Sequence, residues 1–86
     1  MPTHSAAYRF MLSHWDVVSV LPRGRFTSRD VHIPREKKAG VLIRMKWLGL
    51  IRRVGWMPNP SRGDRYSVWE TTDTFRQIAE QLRRDR

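Results

Sequence analysis

The sequence contains no cysteine in 86 residues. This excludes disulfide staples, cysteine-ligated zinc and thiol nucleophiles together. Acidic residues are scarce: 8 Asp and Glu stand against 17 Lys and Arg, for a formal net charge of +9. No apolar stretch approaches the ~20 residues that a membrane-crossing helix needs. The three histidines, His4, His14 and His32, show no HExxH spacing, no carboxylate pair is arranged for acid–base work, and no glycine-rich phosphate loop is present. The expectation is therefore a protein that is not an enzyme and uses no cofactor and no metal. Hydrophobic residues still make up 40% and aromatics 10%, which is too much for a disordered basic tail. The length suits a single domain over residues 1–86, with an ordered core over about 5–83, burying roughly 60–65% of the unfolded surface. The opening MPTHSAAYRF lacks the charged-then-apolar order of a secretory signal. A cytoplasmic protein is expected, nucleoid-associated if it binds DNA.

The basic excess has a position. Residues 1–21 hold Arg9 and Asp16 and sum to zero, and residues 71–86 hold four Arg against three acids. Residues 22–70 hold twelve Lys and Arg against Asp30, Glu36, Asp64 and Glu70, a local excess of +8. Solubility does not require such clustering, so a polyanion is the first partner to expect.

Periodicity divides the chain into elements. Ala7, Met11, Trp15 and Val18 recur at helical spacing, widened by Phe10, Val17 and Leu21, and predict a helix over 5–21 capped by Ser5. Leu21-Pro22-Arg23-Gly24 ends it. Arg25-Phe26 is a short extended piece. Thr27-Ser28-Arg29-Asp30 has the form of a capping box with Asp in the third position, opening a short helix that Ile33-Pro34 must stop. Pro34 then suits the first turn of a helix over 35–48, with Ala39, Leu42, Met45 or Lys46, and Leu48 inward, and Gly49 at its C-terminal cap. Leu50–Met57 and Arg65–Glu70 alternate like strands around a turn-rich Pro58–Asp64. Thr71-Thr72-Asp73 caps a last helix bearing Phe75, Ile78, Ala79 and Leu82.

This order, helix, short strand, two helices, two strands, helix, resembles the winged helix-turn-helix superfamily of bacterial, archaeal and phage DNA-binding regulators. The residues that carry the resemblance are Phe26-Thr27-Ser28-Arg29-Asp30-Val31, the run Leu42 to Val54 with its Leu-Gly-Leu-Ile-Arg-Arg-Val phrase, and Tyr66 to Thr72. The segment from Thr27 to Pro34 is several residues shorter than the family's usual first helix and turn. The resemblance implies an α+β fold, mostly α: a three-helix core, a two-stranded β-hairpin wing over 50–70 and a C-terminal helix. It further implies a transcriptional regulator that binds double-stranded DNA with helix 35–48 in the major groove.

On that basis the outward candidates of the helix are Arg35, Lys37, Lys38, Val41 and Arg44. Arg and Lys donate to guanine O6 and N7, and Val meets a thymine methyl. Arg52, Arg62 and Arg65 line the expected wing, with Arg62 at its tip for phosphate or the minor groove. Arg53 neighbours Arg52 on the strand and so faces the other way, where it either joins the site or covers the sheet. Thr27 and Ser28 offer phosphate bonds as well as a cap. Trp15 is expected in the core, Trp47 and Trp69 where the helix meets the hairpin, and Trp56 exposed before the wing loop. Two other readings share the fold: an RNA-binding module, and an adaptor docking an acidic protein. A homodimer through the two end helices is the superfamily's usual assembly.

Overall fold

The structure, a computed structural model, describes residues 5–61 and 63–85. It is a small α+β fold with four helices and a two-stranded antiparallel hairpin. The elements are α1 (Ser5–Ser13), α2 (Trp15–Val18), a single 3₁₀ turn (Ser28–Asp30), α3 (Arg35–Trp47), β1 (Ile51–Pro58), β2 (Arg65–Thr71) and α4 (Asp73–Asp85). The cap expected of the Ser5 side chain and the tip role expected of Arg62 fall outside the described residues.

The helix expected over 5–21 is broken at His14, whose φ of −113° and ψ of 26° leave the helical region. Two side chains compete for backbone carbonyls there. Ser13 Oγ donates to Arg9 O at 2.9 Å, and His14 Nδ1 lies 3.0 Å from Phe10 O, the same carbonyl that its backbone N–H uses. Such back-bonding bends helices. The imidazole also stacks on Phe10 with centroids 4.2 Å apart. The break swings Val17 and Val18 into the core together with Ala7 and Met11.

The capping box at Thr27 forms in full: Thr27 Oγ1 accepts from Arg29 N at 3.3 Å, and the Asp30 carboxylate accepts from Thr27 N at 2.9 Å. Only one 3₁₀ turn follows, because Val31 is already extended and Pro34 excludes the helical region for Ile33. The second helix of the expected three-helix core is thus reduced to that turn.

Helix α3 runs as the sequence predicts and closes on Gly49 at φ +74°. Gly49 N donates to Lys46 O at 3.0 Å and Leu50 N to Met45 O at 2.9 Å, the paired bonds of a Schellman motif. The motif turns the chain so that Leu50 buries completely beside Met45. Full burial of such a side chain contributes roughly 1.5–3 kcal/mol. Thr72 fastens the same corner: its Oγ1 donates to Gly49 O at 2.5 Å, its N–H to Leu50 O at 3.0 Å, and it accepts from Phe75 N at 3.4 Å as the cap of α4.

The hairpin pairs Ile51 with Thr71 and Pro58 with Arg65, with a bulge between Arg53 and Gly55. Phe26 joins the far side of β2 by mutual bonds with Trp69, at 2.9 and 2.8 Å. Strand β2 is therefore bonded on both sides at Trp69. Phe26, Trp69, Ile51 and Thr71 point into the core, where α4 lays down Phe75, Ile78, Ala79 and Leu82. At the tip, Asn59 is buried and its side chain accepts from Ser61 N, while Gly63 takes φ +75°.

Candidate nucleic-acid interface

Helix α3 carries Arg35, Lys37, Lys38, Arg44 and Lys46 against Glu36 alone. Among the described residues none of these cations is held in an ion pair; the pairs lie elsewhere, as Arg52–Glu70, Arg76–Asp73 and Arg84–Glu80. The N-terminal half of α3 and strand β2 are the two walls of an open cleft. Arg35, Lys38, Ala39, Leu42 and Ile43 form one wall, Arg65, Ser67 and Trp69 the other, and Ser28 closes an end. Four of the residues singled out in the sequence, Ser28, Arg35, Lys38 and Arg65, thus come together.

The others do not join them. Lys37 and Arg44 are exposed, on a stripe with Val41 and Leu48 that runs along another side of α3. Val41 does not point outward as expected. It packs against the core, because the inward face turned by Leu42 and Met45 is wide enough to include it. Thr27 is buried and its hydroxyl already accepts from Arg29 N. Arg52 donates through Nε to Glu70 Oε1 at 2.7 Å, on the sheet face opposite Trp69. Its charge is thereby offset locally.

The structure brings together two residues that their spacing sets apart. Arg53 and Trp56 are three apart and would lie on opposite faces of a regular strand. The bulge inserts one residue between them, so that Arg53 opposes Trp69 and Trp56 opposes Ser67, and both share the cleft side of the sheet. The Arg53 guanidinium lies 4.6 Å from the Trp56 ring centroid and 5.1 Å from that of Trp69, and Arg65 lies 5.3 Å from Trp56. Stacking on indole holds a guanidinium extended while leaving its N–H edge free to donate. Trp56 remains 52% exposed, as expected from the sequence. Trp47 corrects the expectation: it is 77% exposed, whereas Trp69 is buried in the core with Leu42, Met45 and Ile51. Trp15 is half-buried against the core, with Arg83 over its ring at 5.5 Å.

Of the end helices, α1 buries Ala7 and Met11 and leaves Leu12 exposed, and α4 buries its four apolar residues. Tyr8 donates to Asp85 Oδ2 at 3.3 Å across them. Partial burial, and then the Asp85 charge and the bond to it, raise the Tyr8 pKa above its ordinary 10.0. Among the described residues no helix is long and apolar enough to cross a membrane, and no three His, Asp or Glu side chains gather where a metal ion could be held. Comparison with models of protein families, with curated proteins and with solved structures finds no match.

Proposed function

We propose that the protein is a winged helix-turn-helix module that binds double-stranded DNA, laying α3 in the major groove and the hairpin against the adjoining backbone. The observation that carries this reading is the set of unpaired cations on α3, joined across an open cleft to the stacked arginines of the hairpin. One side of the molecule is a double row of donors, and the remaining ion pairs are spent elsewhere. Such a surface complements a phosphate chain, and a helix beside it fits the major groove. The order of elements, with β2 between β1 and the Phe26 bridge, supports the winged helix assignment. Transcriptional regulation is the role that this architecture would serve.

The test is the salt dependence of binding to duplex DNA, followed by fluorescence anisotropy. Contact with ~6–10 phosphates predicts an affinity loss of roughly 10³–10⁵ between 50 and 200 mM salt. A flat response rejects the proposal. Competition by structured RNA at equal salt that displaces the duplex more readily than unlabelled duplex does would move the assignment to RNA.

A further inference from the structure

The outermost stripe of α3 is not its basic one. Glu36, Gly40, Ile43 and Trp47 follow one another at spacings of four, three and four, and all are exposed. Glu36 gives the stripe a charge at its start, but Ile43 at 46% and Trp47 at 77% exposure make its C-terminal half apolar, with Ile43 at the rim of the cleft. Exposed positions on a helix with five cations are normally filled by solvated side chains, and two large apolar residues there need a reason. Gly40 lies one turn before Ile43, and a Cβ built on it would meet nothing within 4 Å, so no packing inside the protein calls for glycine. Its effect is to lower the ridge next to Ile43.

Resting on the reading of α3 as a major-groove helix, we infer that Ile43, flanked by Trp47, meets the C5-methyl groups of thymines and makes the protein selective for thymine-bearing sites. The occupant follows from complementarity. Arg35 and Lys46 on one side, and Lys37 and Arg44 on the other, flank the apolar stripe and match phosphates on both rims of a groove. Within such a groove, the floor is a pattern of hydrogen-bonding groups broken by one apolar group, the thymine methyl. An isoleucine has no donor or acceptor and can discriminate bases only by that group. The reading moves the apolar contact from Val41, which packs against the core, to Ile43, which stands 46% exposed at the cleft rim.

The experiment uses the full chain and a pool of random duplexes enriched on it at fixed salt, then resynthesised with deoxyuridine in place of thymidine. Uracil keeps every hydrogen-bonding group of thymine and lacks only the methyl. The parent protein should bind the uracil pool more weakly by roughly fourfold for each methyl in contact. Ile43→Ala, which keeps only one methyl, should discriminate between the pools markedly less than the parent, with its unfolding midpoint little changed because the side chain is about half exposed. Equal affinity of the parent for the two pools, with steep salt dependence retained, overturns thymine selectivity and leaves duplex binding standing. The same discrimination by Ile43→Ala as by the parent also overturns it. Failure of any duplex to enrich overturns this inference together with the reading beneath it.

Discussion

At the scale of single residues, glycine and arginine carry the most information. Gly49 sits at φ +74° with open space around its α-carbon, so a side chain there would clash with nothing and still be strained. Gly49→Ala should destabilise the fold by about 1–2 kcal/mol through the backbone alone, measured as a lower urea midpoint at an unchanged slope. Gly49→Asn should lose less, because asparagine tolerates the left-handed region. The sequence announces this glycine through its place after Leu48, and the capping box at Thr27 through Asp30. It announces the arginines less well. Arg52 and Arg53 are adjacent and chemically identical, yet one is neutralised by Glu70 and the other stacks between two indoles. Only the cross-strand register separates them, and register is a property of two segments rather than of one.

At the scale of elements, the sequence spoke clearly where one pattern dominated. Helices α3 and α4 and both strands lie within a residue or two of their expected bounds, because their apolar spacing, caps and turn residues agree. Helix 5–21 did not, because periodicity continues across His14 while the local hydrogen bonds do not. The bulge in β1 escaped for a similar reason: alternation cannot count an inserted residue. The contact between α1 and α4 makes its own prediction. Since the folded-state pKa of Tyr8 is raised, its bond to Asp85 contributes fully below pH 10, the ordinary value, and that contribution is lost as pH rises through the raised one. The parent should therefore lose slightly more thermal stability above pH 10 than Tyr8→Phe does, and tyrosinate absorbance should show one late-titrating tyrosine that the variant removes.

At the scale of the whole molecule, the charge divides into spent and unspent cations. The unspent ones, Arg35, Lys38 and Arg65, share the cleft, whereas Arg84 pairs with Glu80 on the far helix. Single alanine substitutions at Arg35, Lys38 or Arg65 should each reduce the slope of log affinity against log salt by about one, and Arg84→Ala should leave it unchanged. This division was half legible in the sequence: the excess between residues 22 and 70 marked the segment, but which of its charges were already partnered required the fold. The order of strands has a consequence of another kind. With Phe26 and β1 on its two sides, β2 has no open edge at Trp69, whereas β1 pairs only with β2 among the described residues and leaves its other edge bare. Bare edges recruit strands from neighbouring chains and begin aggregates. Here the bulge interrupts that edge, Arg53 charges it and Pro58 ends it. The Arg53 charge thus also keeps copies of the protein apart, and salt that screens it should favour self-association through that edge.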